Sequence, residues 1–228
     1  MRRGGGGRGR RLALGAAGTL LLALALAQVL LPRIAAGTIS SRVSRYGKVQ
    51  SVSVSAWPAI ELLWGSADSV RVRARRLALA PAAAAKLLWE SHGVARMEVS
   101  AERVKLGPLA LTGATLAKHG TRLSAAATAS EAAVDGALPE GFAVRLLRSE
   151  RGQVEVQAAG GLFGVGAAVD AVALARGGRL VAHPVGFLLE ALQLTLFSDR
   201  HVYVEGVGAA QVRVRPASYR LTMSATLR

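Results

Sequence analysis

Side chains able to do acid–base or metal chemistry are few and scattered along this chain. Its four histidines stand singly, without the H-x-x-x-H or histidine–carboxylate spacing of a metal site. They are His92, His119, His183 and His201. Asp199-Arg200-His201 resembles part of a triad, but no G-x-S-x-G elbow supplies a nucleophile, and no carboxylates are paired as in a glycosidase. We therefore expect that this protein has no catalytic residue, binds no metal or cofactor, and is not an enzyme.

The amino-acid composition further narrows the classes of protein to which this chain can belong. The chain has no cysteine, which excludes disulfides, thiolate chemistry and attachment through a lipidated cysteine. Hydrophobic residues make up 51% of its 228 residues and aromatic residues only 4%, so a core must be filled mainly by Val, Leu and Ala. This length favours one domain of ordinary size plus a short targeting segment.

Arginine is the side chain with the clearest chemical pattern. Arg71, Arg73 and Arg75 alternate with Val70 and Val72, which predicts a strand with one basic and one apolar face. Guanidinium groups in such a row are suited to holding the phosphate of a lipid headgroup. A solvated face is the ordinary alternative for exposed charges. The formal net charge of +15 favours anionic partners in either case.

The element that positions the whole chain is its N-terminus. Five arginines in residues 1–11 precede a run of twenty uncharged residues at 12–31, long enough as a helix to cross a bilayer of about 30 Å. The basic flank predicts a cytoplasmic leader and places residues 32–228 outside the cytoplasm. A cleaved signal peptide is the alternative, because Ala25-Leu26-Ala27 resembles a cleavage site. Since this run explains the arginines as a topology signal, we expect no nucleic-acid partner.

In the part of the chain that follows the uncharged run, the pattern predicts an amphipathic helix at 33–47 followed mainly by strands. A compact apolar helical turn, begun by Pro58 and ended by Gly65, separates the first two strands, and a second short helix is expected at 82–91. The phase shift at Arg75-Arg76 indicates a bulge or a strand end. Roughly ten strands in all predict a mainly β, α+β fold with a curved antiparallel sheet or rolled barrel, preceded by one transmembrane helix.

Two short helices cannot cover both faces of such a sheet. The sheet must therefore fold on itself as a sandwich, wrap a helix, or leave an apolar groove for an acyl chain. The residues we expect to contact lipid are those of the apolar strand faces and the helical turn, namely Val52, Val54, Trp57, Ile60, Leu63, Trp64, Val70 and Val72. For the aromatic segment the alternative is that it plugs one end of the barrel or sandwich.

Residues 52–74, VSVSAWPAIELLWGSADSVRVRA, resemble the signature of the LmeA-like phospholipid-binding family of actinobacterial envelope proteins. The order of a basic leader, a hydrophobic span, an amphipathic helix and a strand–aromatic-Pro–strand segment is similar throughout. The resemblance implies binding of phospholipid, with anionic lipid as the expected partner, a role in envelope lipid or lipoglycan handling, and a fold similar to tubular lipid-binding domains. It implies no catalytic residue.

These observations predict a membrane-tethered, extracytoplasmic phospholipid-binding protein. Acyl chains would lie against the Val and Leu face, and the headgroup near Arg71, Arg73 and Arg75. The alternative is an anchored structural scaffold for envelope enzymes without a lipid cavity. Its expected location is the cell membrane, single-pass, or outside the cytoplasm if the signal is cleaved.

Overall fold

In the computed structural model, residues 7–138, 140–150, 152–162, 165–185, 193–214 and 216–228 are described. For residues 7–25, 60, 161–162, 165–167 and 214 the description covers the backbone only. The predicted basic leader at 1–11 therefore lies mostly outside the described residues. Within the part of the chain that is described, no helix was found that is long and apolar enough to cross a membrane.

Twelve strands, three α-helices and one 3₁₀ helix make up the described chain. The helices are α1 (Gly7–Ser44), the 3₁₀ helix Ala59–Trp64, α2 (Pro81–Glu90) and α3 (Glu131–Asp135). The first strands are β1 (Gly47–Ser55), β2 (Ala67–Leu79), β3 (Val94–Leu106), β4 (Leu109–His119), β5 (Arg122–Ser130) and β6 (Phe142–Glu150). The remaining strands are β7 (Gln153–Leu162), β8 (Val165–Arg176), β9 (Arg179–Pro184), β10 (Leu194–Phe197), β11 (Val202–Val214) and β12 (Ala217–Leu227).

The strands form two open sheets. The seven-stranded sheet has the order β1-β2-β3-β4-β5-β12-β11, and the five-stranded sheet has the order β10-β9-β8-β7-β6. The predicted mainly β fold is confirmed, but neither sheet closes into the rolled barrel offered as an alternative. One pair, β2 and β3, is parallel. The reason is local, since α2 supplies the crossover that a parallel connection needs.

Several local predictions are confirmed. Pro58 precedes the 3₁₀ helix and Gly65 follows it, with the Gly65 N–H donating to the Leu62 carbonyl at 3.2 Å. The bulge expected near Arg75 is present, because Lys48 pairs with Arg76 while Val49 pairs with Ala74. The helix expected at 33–47 is instead the last part of α1, which continues through Pro32.

The packed core lies on one face of the seven-stranded sheet. Val70, Val72 and Met97 are buried there, with Ile39 and Val43 of α1 and Leu62 of the 3₁₀ helix packed against them. The sheet therefore packs this face against a helix, α1, which is one of the three arrangements expected from the sequence. A second cluster contains Ala85 of α2 together with Leu123, Val202, Ala225 and Leu227.

One charged side chain is enclosed in this core. Lys118 of β4 is only 1% exposed, stands beside Met97 and Leu123 in register, and donates from Nζ to the Val94 carbonyl. Its burial lowers the pKa of the ammonium group, because the apolar surroundings disfavour the charged form.

The two sheets meet at the edge strand β11. Its outward N–H groups at Val204 and Ala209 donate to the Gly178 carbonyl at 2.9 Å and to Ser149 Oγ at 2.9 Å, and Val207 donates to the Gly152 carbonyl at 3.4 Å. The hairpin ends of the five-stranded sheet thus satisfy an edge that would otherwise be free to pair with another chain. This junction also explains why the seven-stranded sheet does not need to close on itself.

Candidate functional site

The face of the seven-stranded sheet opposite the core is polar and built from small side chains. Cross-strand pairing aligns it in two rows that run over six strands. The first row is Arg71, Glu98, Ala117, Ser124, Ser224 and Gly206. The second row is Arg73, Ser100, Thr115, Ala126, Thr222 and Gly208. Because alternate residues of a strand face opposite sides, these rows lie across the sheet from Val70 and Val72.

These two rows form the floor of a groove of about 820 Å³. At its far end the hairpin of β6 and β7 contributes a wall, with Ser149, Glu150 and Gly152. The volume lies within the range of ordinary ligand sites in proteins. We call this feature the floor groove.

Small side chains keep the floor groove open near its wall. A Cβ added at Gly208 would lie 2.8 Å from Thr222 Oγ1, and one added at Gly206 would lie 3.2 Å from Ser224 Oγ. A side chain at either position would therefore displace the hydroxyl group beside it. The floor offers hydroxyl groups, alanine methyls and glycine backbone to a bound molecule.

The β2 end of the floor groove is basic. Arg71 Nε donates to Glu98 Oε2 at 2.8 Å, and this hydrogen bond, together with the charge of the same guanidinium, holds the pKa of Glu98 below its ordinary value. The positive charge of Arg73 acts in the same direction. Among the described residues, no carboxylate oxygen lies within 4.0 Å of the Arg73 guanidinium. Arg73 is thus the cation at this end that a ligand anion can pair with most directly.

The structure separates the predicted site residues into distinct groups. Arg71 and Arg73 line the floor groove. Arg75 lies two residues further along β2, outside the groove lining, with its Nε 4.0 Å from Glu102 Oε2. Val70 and Val72 are buried in the core on the opposite face, and Val52 and Val54 are partly buried against them. In this structure these four valines pack against other protein side chains, and their contact with lipid stays a prediction.

The aromatic segment occupies a third place, at the junction of α1 and the 3₁₀ helix. Trp57 is 76% exposed, Trp64 is 73% exposed and Leu63 is 66% exposed, so they do not plug an end of the sheet. The side chain of Ile60 is outside the described part. Two of the three tryptophans of the chain are therefore open to the surroundings.

The Ser and Thr residues of the floor groove were not among the predicted site residues. Their signal was present in the last strand, where Thr222 and Ser224 alternate with Leu221 and Met223. What could not be seen is that distant strands place Ser124, Thr115 and Ser100 in the same rows, since this depends on the pairing of β12 with β5, of β5 with β4 and of β4 with β3.

Two of the four histidines lie beside one tryptophan. His92 and His201 both lie against the ring of Trp89, with ring centroids 5.6 and 4.1 Å away. The His201 N–H donates to Asp199 Oδ1 at 2.8 Å, as in a turn between strands. No group of three potential metal ligands lies together within the described chain.

Comparison with known families decides what kind of protein carries this groove. The family model described as LmeA-like phospholipid-binding matches residues 22–225. The chain belongs to this family. The match confirms the resemblance seen in residues 52–74 and extends it over both sheets, the floor groove and the aromatic segment. Comparison with curated proteins and with solved structures gave no significant match.

Proposed function

We propose that this protein is a membrane-tethered, extracytoplasmic phospholipid-binding protein that holds an anionic lipid in the floor groove. One observation carries the proposal, namely an open groove of about 820 Å³ with Arg71 and Arg73 at one end, in a member of a phospholipid-binding family. In this proposal the protein acts by binding, in the handling of envelope lipid or lipoglycan, and catalyses no reaction.

The groove suggests an orientation for the lipid. A phosphate at the β2 end would pair with Arg73 and with Arg71, whose guanidinium it would share with Glu98. The glycerol ester oxygens would then lie along the Ser and Thr hydroxyl groups of the floor. The acyl chains would leave toward Ser149 and Gly152, where the five-stranded sheet offers half-buried aliphatic side chains such as Leu146, Val154 and Val156.

The proposed tether rests on the uncharged run at 12–31 and its basic flank. Fractionation of cells tests it: an uncleaved anchor stays with the membrane after washing at high salt and high pH. Release of the full-length chain into the soluble fraction would contradict tethering, and loss of the first residues would show cleavage instead.

Lipid binding is tested by native mass spectrometry of the full chain after gentle extraction, with added phosphatidylglycerol or phosphatidylcholine. We expect bound phospholipid and a preference for the anionic lipid. Arg73→Glu should weaken phosphatidylglycerol binding by roughly tenfold or more, because a hydrogen-bonded charge pair contributes about 1.5–3 kcal/mol. Arg179→Glu, at an exposed arginine of β9, is the matched control and should leave binding unchanged.

A second pair of variants tests whether the groove itself is the site. Ala126→Phe places a ring on the groove floor and should reduce the amount of bound lipid, whereas Ala159→Phe, at an exposed position of β7, should not. Equal lipid content in both variants would place the lipid elsewhere. A wild-type protein that carries no lipid under any of these conditions would favour the scaffold alternative.

A further inference from the structure

Trp57, Leu63 and Trp64, three large apolar residues of the short segment 57–64, are exposed and are not used by the lipid site. None of the three lines the floor groove. Side chains of this size are seldom left this exposed together unless the surface meets a partner. We call these three residues the interfacial patch.

The interfacial patch is held firmly in place from below. The Ala59 N–H donates to Gln28 Oε1 of α1 at 3.2 Å, and Ala59 itself is buried. Leu62 packs into the core beside Val70. Because Ala59 and Leu62 fix the inner side of the 3₁₀ helix, Leu63 and Trp64 must point outward.

The same hydrogen bond sets the level of the patch along α1. Gln28 lies three residues before the end of the uncharged run at 31, which is about 4.5 Å along a helix axis. Leu26, Val29 and Leu30 are exposed on the same turns of α1, and Arg33 follows one turn later on their side of the helix. Exposed apolar side chains and tryptophans at one level, followed by an arginine, are typical of a helix that leaves a bilayer.

We propose that the interfacial patch inserts into the boundary between headgroups and acyl chains of a phospholipid bilayer, on the side where α1 enters the domain. This surface contacts the bulk bilayer, so the inference goes beyond the single lipid of the floor groove. A bilayer suits this surface better than a protein partner, because the patch is level with the apolar end of the predicted span. The chain after the leader, residues 12–228, also carries 24 basic against 14 acidic side chains, which complements anionic headgroups.

Docking in this way would also orient the floor groove. The backbone N–H of Trp57 donates to Asp68 Oδ2 at 2.7 Å. Asp68 precedes Arg71 by three residues on β2, which is about 10 Å along the strand. A bilayer in contact with Trp57 therefore brings the basic end of the groove next to the headgroups. A lipid could then pass between bilayer and groove over a short distance.

The chain offers a built-in experiment because it has only three tryptophans. The full chain is reconstituted in vesicles of phosphatidylcholine and phosphatidylglycerol, with or without bromine on the first half of the acyl chains. Three variants each keep one tryptophan: W64F/W89F keeps Trp57, W57F/W89F keeps Trp64, and W57F/W64F keeps Trp89. Trp89 is the matched control, since it is 38% exposed but stacks on His201.

We expect brominated lipid to quench Trp57 and Trp64 at least about twofold more than Trp89, since tryptophans at an interface lie within reach of the upper acyl chain. Equal quenching of all three, or none of Trp57 and Trp64, would overturn the inference. The result is independent of the groove: lipid content by native mass spectrometry should stay unchanged in W57F/W64F. Lost quenching with retained lipid refutes docking alone, and retained quenching without lipid refutes the groove alone.

Discussion

The two sheets of this protein are built from similar strands but differ in how far their aliphatic side chains are buried. In the seven-stranded sheet, α1, α2 and the 3₁₀ helix cover one face, and Val70, Val72 and Leu123 are buried. In the described strands of the five-stranded sheet, Val181 is the one buried side chain, while Leu147 and Leu194 are exposed.

This difference separates a rigid part from an adaptable one. The floor of the groove belongs to the sheet with a packed core, whereas the wall, at Ser149 and Gly152, belongs to the sheet with little burial. Regions with few buried contacts open at lower cost than packed ones. We therefore expect the wall to adjust to different lipids while the floor and its arginines stay in place.

The same substitution in each sheet should give the largest contrast. Leu123→Ala removes a buried side chain that packs with Val202 and Leu227, and we expect it to lower the free energy of unfolding by about 3–4 kcal/mol. Leu194→Ala, at an exposed position of β10, should change it by less than about 0.5 kcal/mol. Denaturant titration followed by circular dichroism measures both. Similar losses would mean that the two sheets are equally packed.

The next largest effect on stability is expected from substitutions at the junction between the two sheets. Gly178 and Gly152 both have φ of +79°, but a Cβ at Gly178 would lie 2.2 Å from the Tyr203 ring, whereas one at Gly152 would be 3.8 Å from the Gly206 Cα. Gly152→Ala should therefore cost only backbone strain, about 1 kcal/mol, and Gly178→Ala about 2–3 kcal/mol. Thermal unfolding of the two variants tests the ranking, and the reverse order would contradict the tight approach at Tyr203.

A smaller effect is expected at the groove wall. Ser149→Ala leaves the Ala209 N–H without its acceptor and should lower the free energy of unfolding by about 1 kcal/mol. Ser149→Thr keeps the hydroxyl and serves as the control. Faster amide exchange at Ala209 in the alanine variant alone would confirm the contact, and unchanged exchange would show that this edge is held by other bonds.

The smallest effect is a pH dependence from Lys118. Burial lowers its pKa in the folded state below the unfolded value, so the unfolded chain binds more protons between these two values. Stability from this group should therefore rise with pH in that interval and stay constant above 10.5, where both states are neutral. Lys118→Met, measured in parallel, should lack this rise. Identical pH profiles for both proteins would show that the ammonium is solvated.

Much of the fold could be predicted because its signals are local. Alternation of Val and Arg in β2 predicts a strand, Pro58 and Gly65 bound a helical turn, and the break at Arg75 predicts a bulge. Each depends on residues within a few positions of one another. The family signature at 52–74 is local in the same way, and the family match confirms it.

What the sequence by itself determined is therefore the elements, the two faces of each strand and the family. The tertiary structure decided which faces are covered. It placed Val70 and Val72 in the core, left Trp57 and Trp64 exposed, and aligned hydroxyl groups from four strands, β3, β4, β5 and β12, in rows that begin at Arg71 and Arg73. The physical reason is that burial and cross-strand neighbours depend on register between segments far apart in the chain, and alternation within one strand carries no information about its partner.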